Sequence, residues 1–345
     1  MKIYKNIFEK IISAENLFLA WNEFKKDKRN KIDVLQFEWN LEENIFQLRR
    51  DLKSGGYKHG GYESFYITDP KLRHIHKASV RDRILHHAVY AVINPIFEET
   101  FIPVSFSCRI GYGAHKGVDK LGRIARKISQ NNTIQCHILK CDIRKFFDSV
   151  DHKILISIIK KRVKDDSAVK LLEEIIGSFS SPYSDLSRKK GIPLGNLTSQ
   201  LFANIYMNEF DQFVKQSLKI KNYIRYTADF VIVSADFLYL ENLISEFSKF
   251  LEEKLKLKLH PKKVEIRTLR QGIDFLGYVQ FPNHRLLRSK TKRRIFKKLK
   301  KKFSEYEVGK IDKSVFKQSL QSYLGVLSHA NAYGITQQLK NQFWV

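Results

Sequence analysis

The sequence has few residues that could form covalent or metal cross-links, and it has no long apolar run. Its three cysteines, Cys108, Cys136 and Cys141, form no CxxC pair, so neither a disulfide framework nor a cysteine zinc site is expected. No apolar run approaches the ~18–20 residues of a membrane-spanning helix. The first ten residues also lack the apolar centre of a signal peptide. Together these absences favour a protein of a reducing, cytoplasmic compartment.

Acidic residues are also scarce. The 345 residues carry 62 Lys and Arg against 36 Asp and Glu, a formal net charge of +26. Such an imbalance predicts a polyanionic partner, either nucleic acid or an anionic membrane surface, and the absence of an apolar span makes nucleic acid the stronger prediction. Hydrophobic residues make up 43% of the chain, which is enough for a sizeable core and excludes wholesale disorder.

Hydrophobic periodicity predicts a mixed order of helices and strands. The strands are separated by helices, which favours a split α/β sheet over a helical bundle. Asn94-Pro95 is expected to interrupt the second helical stretch, and a serine-rich polar loop is expected over 178–190. The predicted helices cover 1–53, 81–97, 150–163, 201–215 and 240–257, and the predicted strands cover 62–68, 138–142, 223–234 and a hairpin around Gly277 at 273–281.

Two aspartates lie where catalytic carboxylates could be held. Asp142 ends a predicted strand, and Asp229 follows a turn between two β-rich halves. Nucleotidyl transfer to a primer 3′-hydroxyl needs carboxylates from adjacent strands to hold two Mg²⁺ ions about 3.5–4 Å apart, and Mg²⁺ prefers oxygen ligands. An isolated aspartate at a strand end is commonly a turn or cap residue, so spacing alone leaves both interpretations open.

Several sequence blocks resemble bacterial reverse transcriptases, and most closely those of diversity-generating retroelements. The blocks follow the order of that family and extend from about residue 60 to 335. They lie at 69–75, 81–88, 107–115, 141–143, 194–200, 257–263, 274–278 and 322–331. The resemblance implies a right-hand polymerase of the α/β (α+β) class. A helical region would occupy 1–60, fingers and a palm with a split βαβ sheet 61–284, and a basic helical thumb 285–345.

The resemblance also implies a role for individual residues. Two Mg²⁺ ions would be held by Asp142, the backbone carbonyl of Ile143 and Asp229. Phe147 matches the aromatic steric gate that excludes a ribose 2′-hydroxyl. Lys71 and Arg73 match the cations that hold the dNTP triphosphate. Gln200 and the 194–199 loop would lie against the nucleotide and template base. Lys263 matches the residue that donates a proton to pyrophosphate. The 194–200 block is associated in this subgroup with poor discrimination at template adenines. From the residues alone, Asp229 could merely stabilise a hairpin, Phe147 could be core, and the cations could face solvent.

The turn departs from the family pattern at one position. The family motif Tyr-x-Asp-Asp here reads Tyr226-Thr227-Ala228-Asp229. Ala228 replaces an aspartate that is normally a direct metal ligand, so polymerisation is expected to be abolished or severely reduced. The intact surroundings favour deliberate inactivation over natural decay.

A basic segment near the end of the chain resembles the thumb helix. It has ten Lys or Arg among residues 288–302, and an apolar seam of Ile295, Phe296, Leu299 and Phe303 would leave the cations to contact a duplex backbone. A solvated charged helix is the alternative. The cations proposed for nucleic-acid contact are Arg288, Lys290, Arg293, Arg294, Lys297 and Lys298.

The implied function is RNA-templated DNA synthesis from a retroelement RNA for mutagenic retrohoming. The expected partners are the template RNA, the RNA/DNA duplex and a small accessory variability protein oligomer, with no membrane. A phage-defence reverse transcriptase and a decayed RNA-binding scaffold are the alternatives. A group II intron protein is less favoured, because no maturase or endonuclease segment is seen. His74, His76, His86 and His87 lack acidic or cysteine partners at ligand spacing, so they are expected to be surface or RNA-contacting residues rather than metal ligands.

Overall fold

The computed structural model describes residues 2–68, 71–184 and 188–343, and most of their regular structure is helical. A π-helical turn at Phe213–Ser217 follows directly on the helix Leu197–Gln212, and a 3₁₀ turn covers Leu269–Gln271. The helices are α1 Phe8–Ile12, α2 Ala14–Phe24, α3 Ile32–Trp39, α4 Leu41–Lys53, α5 Val80–Glu98, α6 Ala114–Ile128, α7 Phe146–Ser149, α8 His152–Arg162, α9 Asp166–Gly177, α10 Leu197–Gln212, α11 Phe237–Lys254, α12 Ser289–Glu307, α13 Lys313–Leu327 and α14 Tyr333–Gln342.

The strands form three sheets in the described part of the chain. The strands are β1 Glu63–Ile67, β2 Arg73–Lys77, β3 His137–Asp142, β4 Tyr223–Tyr226, β5 Asp229–Ser234, β6 Glu265–Thr268, β7 Ile273–Phe275, β8 Tyr278–Gln280 and β9 Arg285–Leu287. A two-stranded sheet pairs β1 with β2, a four-stranded sheet has the order β4-β5-β3-β6, and a three-stranded sheet has the order β7-β8-β9.

The chain divides by packing into two compact units. The first unit comprises the chain up to Pro103, Asp142–Ile220 and Glu246–Pro261, and the second comprises Val104–Cys141, Lys221–Ser245 and the chain from Lys262 onward. This division follows contact density and does not test the lobe boundaries expected at residues 60 and 284, which stay predictions.

In the first unit, helices pack around α5 and α10. Helix α5 contacts α2 and α10, and α10 also contacts α8. The face of α5 buried there includes Ile84, Leu85 and Ile93, none of which has any exposed surface. Ser79 caps the helix by accepting the Asp82 N–H at 3.1 Å, which satisfies one of the amides that the first turn leaves unpaired.

In the second unit, the helices pack on the four-stranded sheet and on one another. Helix α6 contacts β4, β5 and β8, while α12, α13 and α14 pack in succession. Ile224 and Val231 of the sheet and Leu299 and Phe316 of the last helices belong to one buried apolar cluster. The hydrophobic seam expected on the basic helix is therefore present, with Ile295 and Leu299 buried.

Most of the predicted elements are confirmed, but the predicted interruption at Pro95 is wrong. Helix α5 runs through Pro95 to Glu98. An interior proline removes one helical hydrogen bond and costs about 3 kcal/mol. Ile93, Ile96 and Phe97 around it are all buried, and tertiary burial of this kind stabilises the helix more than the proline destabilises it.

The expectation for His86 is also wrong, because this side chain is core. His86 is 1% exposed, and burial lowers its pKa to about 3. Its Nε2 lies 3.1 Å from Nε2 of His59, whose Nδ1 lies 2.6 Å from the Gly60 carbonyl. Because a carbonyl only accepts, His59 donates from Nδ1 and accepts the hydrogen bond that His86 donates. His87 is half-buried against Phe24, and burial lowers its pKa to about 4.

Candidate active site

Asp142 lies at the last position of β3, beside the segment that follows α11. The Asp142 carbonyl accepts the His260 N–H at 2.8 Å, and the Arg144 N–H donates to the Lys258 carbonyl at 2.9 Å. These bonds join two of the sequence blocks, 141–143 and 257–263. The Asp142 side chain is half-buried, so its carboxylate remains within reach of solvent.

Ile143 is held by an antiparallel bridge to Leu259. The two hydrogen bonds of that bridge are made by the neighbours of Ile143, at Asp142 and Arg144. In an antiparallel pair of this type the central residue's own carbonyl is directed away from the paired segment. Ile143 is 3% exposed, so only its backbone oxygen has the chemistry of a metal ligand.

Two consecutive phenylalanines follow on the short helix α7, and their environments differ. Phe146 is 4% exposed, whereas Phe147 is half-buried. Their ring centroids are 5.4 Å apart in an edge-on arrangement. Phe146 is therefore the core member of the pair, and Phe147 is the one with surface left to contact a ligand.

The loop before α10 links α7 to the β1–β2 hairpin. The Ile192 N–H donates to the Phe147 carbonyl at 2.9 Å, and the Leu194 carbonyl accepts the His76 N–H at 2.9 Å. The side-chain amide of Asn196 also donates to the His76 carbonyl at 2.9 Å. Three segments that are distant in sequence are thus hydrogen-bonded to one another in the first unit. Gln200 lies exposed in the first turn of α10.

Gly195 permits this docking. Its φ is +112°, and a Cβ placed there would lie 2.8 Å from Cγ2 of Ile75. A side chain is therefore excluded both by backbone conformation and by the closeness of β2.

The β1–β2 hairpin carries two different faces. Arg73 begins β2 and is exposed, as is Lys71 before it, while Asp69 and Pro70 of the same block lie outside the described residues. Because side chains alternate along a strand, His74 and His76 share the face opposite to Arg73. His74 stacks on Tyr66 with ring centroids 4.4 Å apart.

The histidine face approaches a carboxylate that sequence reasoning did not single out. Burial raises the pKa of Asp148 on α7, and Lys145, His76 and His74 oppose that rise electrostatically. His76 also packs on Phe179, with ring centroids 4.7 Å apart. The alternation Arg-His-Ile-His-Lys in β2 was the available signal for this face, whereas Asp148 gave none.

In the second unit, the turn between β4 and β5 is held by residues from outside the motif. Thr227 has a φ of +53°, which is unfavourable for a β-branched residue. Its hydroxyl lies 2.5 Å from that of Ser107, and its carbonyl accepts from Nη1 of Arg225 at 3.0 Å. Arg225 has no exposed surface, so a buried cation fixes the backbone next to Ala228.

The residues predicted to bind metal carry oxygen donors of the kind that Mg²⁺ prefers, except at position 228. Asp142, Asp229 and the Ile143 carbonyl offer hard oxygens, whereas Ala228 offers only a methyl group. Within residues 2–68, 71–184 and 188–343, no three His, Cys, Asp or Glu side chains converge as a metal site. Lys263, predicted to protonate pyrophosphate, is exposed in the second unit.

The basic helix α12 presents its cations unevenly. Arg288 precedes the helix and forms an ion pair with Asp274, its Nε lying 2.8 Å from Oδ1, so it is already engaged. Arg294 and Lys298 also have partners. Lys290, Arg293 and Lys297 are exposed, which makes them the members of the predicted set most accessible to a phosphate backbone.

The four-stranded sheet has an aspartate ending one strand and a hairpin turn preceding its neighbour in the strand order, which is consistent with the palm of a right-hand polymerase. Residues 61–280 match the family model described as reverse transcriptase (RNA-dependent DNA polymerase). This match covers more than half of the chain. The chain belongs to the reverse transcriptase family and is, by family, an RNA-directed DNA polymerase.

Relatives of this chain include bacterial and intron-encoded proteins. Protein YkfC of Escherichia coli (strain K12) is 26% identical over 283 residues, covering 71% of each chain. The group II intron-encoded protein LtrA of Lactococcus lactis subsp. cremoris is 29% identical over 184 residues, covering 52% of this chain and 29% of LtrA. The chain thus spans less than a third of LtrA.

A solved structure of telomerase from Candida albicans, in complex with a TWJ fragment of telomeric RNA, aligns with a TM-score of 0.48 and 12% identity, covering 74% of this chain and 50% of that one.

Across the described ranges, none of the helices combines the length and apolar character needed to span a membrane.

Proposed function

We propose that the parent form of this chain makes cDNA from a retroelement template RNA by two-metal nucleotidyl transfer, and that Ala228 impairs that reaction in the present chain. The observation that carries the proposal is the strand order β4-β5-β3-β6. Asp142 is the last residue of β3, and Asp229 is the first of β5, so the two carboxylates belong to strands that are neighbours in one sheet.

In this proposal, Asp142, Asp229 and the Ile143 carbonyl hold the metal ions. When bound, Mg²⁺ activates the primer 3′-hydroxyl and neutralises charge on the dNTP triphosphate. The carboxylates fix the positions of these charges before reaction, and preorganisation of this kind removes the cost of rearranging solvent. An aspartate at position 228 would complete the set of ligands.

Residues of the first unit would then select and orient the nucleotide. Lys71 and Arg73 are exposed cations near one end of the hairpin, and a guanidinium offers a planar fork that matches phosphate oxygens. Phe147 is half-buried, whereas its neighbour Phe146 is only 4% exposed, which supports Phe147 as the gate against a 2′-hydroxyl. Gln200 would contact the nucleotide and template base. Lys263, which belongs to the second unit, would donate a proton to pyrophosphate.

The exposed cations of α12 would hold the RNA/DNA duplex through its phosphates. Such contacts supply affinity without reading sequence, so binding should weaken steeply as salt rises. The dense basic face of α12 over an apolar seam supports this role more than a merely solvated helix, which would not need so many cations on one element.

The subtype of the enzyme is proposed from the 194–200 block and the order of the other blocks. On that basis the cDNA serves mutagenic retrohoming in the cytoplasm, with an accessory variability protein oligomer as partner. A phage-defence role would share the same palm, and neighbouring genes distinguish the two: a template repeat with an accessory gene, or a defence cassette. A non-catalytic RNA-binding scaffold is favoured only by Ala228.

Primer extension tests the proposal. The present chain, Ala228→Asp and Ala228→Asn are compared on an RNA template with a DNA primer, dNTPs and Mg²⁺. Asparagine matches aspartate in size without its charge. We expect extension by Ala228→Asp to exceed that by the other two at least about 10²-fold, the cost of losing one preorganised charge-stabilising group. Equal extension by all three would refute the metal role of position 228, and absence of extension would favour the scaffold.

A further inference from the structure

A cleft in the second unit lies outside the residues assigned to catalysis. It has a volume of about 560 Å³, within the range of sites that bind small molecules. Its walls are α6, the hairpin of β8 and β9, and the connection between α13 and α14. Arg123 and Arg126 lie on the helical wall, and His284 and His329 on the other two.

One partly buried arginine joins the three walls. Nη1 of Arg285 lies 2.7 Å from Oδ1 of Asp119 on α6 and donates to the His329 carbonyl at 3.2 Å. Its Nε donates to the side-chain oxygen of Gln280 at 3.0 Å. The Asn331 N–H donates to the Arg285 carbonyl at 2.7 Å, and the Asn331 side chain accepts the Arg285 N–H at 3.0 Å. The cleft is therefore a preformed feature rather than a gap between loose segments.

Two arginines remain available to a ligand. Arg123 and Arg126 lie three residues apart on α6, which places them on neighbouring positions of one helix face. Both are exposed, and the described contacts include no ion pair or hydrogen bond of either side chain. Asp119, the carboxylate of the lining, is already paired with Arg285. The cleft consequently carries a net positive charge directed at its opening.

The opposite wall offers flat rings and amides. The exposed ring of His284 is stacked on Phe281, with centroids 4.8 Å apart and planes 15° from parallel. Asn283 and Asn331 contribute polar lining. Phosphate-binding forks on one side and a stacking ring with hydrogen-bonding amides on the other match the two halves of a nucleotide.

We infer that this cleft binds one nucleotide segment of a single-stranded nucleic acid, its phosphodiester between Arg123 and Arg126 and its base against His284. The inference rests on the proposed function, because it adds a strand-binding site to a nucleic-acid polymerase. The volume suits a single nucleotide and is far too small for a duplex. An acidic protein segment would use the arginines but not the ring.

Two adjacent residues provide a matched test. Arg126 lines the cleft, whereas Lys127, also exposed and in the last turn of α6, does not. Arg126→Gln and Lys127→Gln remove the same charge from the same helix end. The probe is a fluorescein-labelled octauridylate, whose binding is measured by anisotropy over a series of KCl concentrations.

Arg126→Gln should weaken binding about 5- to 10-fold at low salt and lower the slope of log affinity against log salt by about 0.7, the value for one lost contact to a single strand. Lys127→Gln should leave the slope unchanged, and Arg123→Gln should behave like Arg126→Gln. Equal effects of Arg126→Gln and Lys127→Gln would overturn the inference. So would stronger competition by hexaglutamate than by unlabelled octauridylate at equal charge, which would indicate an acidic peptide instead.

A second readout locates the bound strand. Octauridylate containing 4-thiouridine should cross-link to peptides covering 280–285 or 328–331, and cross-links confined to other segments would contradict the inference. Primer extension by Ala228→Asp separates this result from the proposed function. If that variant fails to extend while the contrast between Arg126→Gln and Lys127→Gln persists, the cleft stands and the polymerase proposal falls.

Discussion

Gly195 offers the sharpest structural test of the predicted nucleotide site, because the loop that contains it is hydrogen-bonded to both α7 and β2. In Gly195→Ala the new Cβ would meet Ile75 at 2.8 Å with the backbone at a φ of +112°. Strain at such a backbone conformation costs about 1–3 kcal/mol, and forcing a methyl group into a filled space costs about another 1–3 kcal/mol. We therefore expect the free energy of unfolding to fall by about 2–6 kcal/mol.

Two other glycines of the first unit separate these contributions. Gly55 has a φ of +73° with nothing within 4 Å of an added Cβ, so Gly55→Ala should cost only the backbone term, about 1–2 kcal/mol. Gly177 ends α9 with neither a positive φ nor a close neighbour. Gly177→Ala should stabilise the chain by about 0.5–1 kcal/mol, chiefly by restricting the unfolded chain.

Urea unfolding, followed by the fluorescence of the buried Trp21 in the same unit, measures this order. Amide exchange at His76 provides the local readout, because its N–H bonds to the Leu194 carbonyl at 2.9 Å. Gly195→Ala should speed that exchange, and the two control variants should not. If Gly195→Ala unfolds at the midpoint of Gly55→Ala and its His76 amide stays protected, the proposed docking of the loop on β2 is wrong.

Three further predictions test the core, the buried histidine and the metal site. Phe146→Ala should lower the free energy of unfolding by about 3–5 kcal/mol, and Phe147→Ala should lower it by less. In the double variant Phe147→Ala/Ala228→Asp, incorporation of rNTPs relative to dNTPs should rise above that of Ala228→Asp alone, as measured by single-nucleotide extension. Burial lowers the pKa of His86 to about 3, so as pH falls this histidine is protonated in the unfolded chain before it is protonated in the folded one. The free energy of unfolding should therefore fall as pH drops below about 6.5, by up to about 1.4 kcal/mol per pH unit. His86→Gln should flatten that pH dependence in urea unfolding, and an unchanged dependence would refute the burial of a neutral His86. Mg²⁺ should raise the melting temperature of Ala228→Asp more than that of the present chain, because a ligand at 100 times its Kd adds about 2.7 kcal/mol to the free energy of unfolding. Equal shifts in melting temperature would contradict metal binding beside Asp229.

The sequence predicted elements well where local pattern and packing agree. The strand ending at Asp142 and the hairpin at Gly277 were readable from short apolar runs bounded by turn residues. Helix α5 was predicted to break at Pro95 because local propensity was given more weight than burial. Its apolar residues on both sides of the proline show that tertiary packing decided the outcome.

Helix α6 illustrates why other elements escaped prediction. Val118, Leu121 and Ala125 are buried at helical spacing, but Gly117 and Gly122 interrupt the pattern. A Cβ at Gly117 would lie 3.0 Å from Cδ1 of Leu276, and one at Gly122 would lie 3.2 Å from Oε1 of Gln280. These glycines are required by close packing against a hairpin more than 150 residues away, so the local sequence could not explain them.

The residues of the candidate site could be proposed from the sequence, but the contacts that support them could not. Asp142, Phe147 and Asp229 were proposed from resemblance, and the two aspartates also from their positions at strand ends; their roles stay predictions. Arg225 gave a signal, since a cation in an otherwise apolar strand requires a partner when buried, but its partner could not be named. Ser107 pairs with Thr227 across 120 residues, and no local pattern encodes such a contact.

The state of the turn bears on what Ala228 signifies. Thr227 keeps a positive φ that costs on the order of 1–3 kcal/mol for a residue other than glycine. Ser107 and the buried Arg225 offset that cost by holding its hydroxyl and carbonyl. A scaffold that had lost catalysis would gain stability by replacing Thr227 with glycine or asparagine. The turn thus keeps a strained backbone at Thr227 beside Ala228. If primer extension restores activity in Ala228→Asp, this retained strain supports the proposal that one ligand was lost from a polymerase; if it does not, the scaffold alternative gains support.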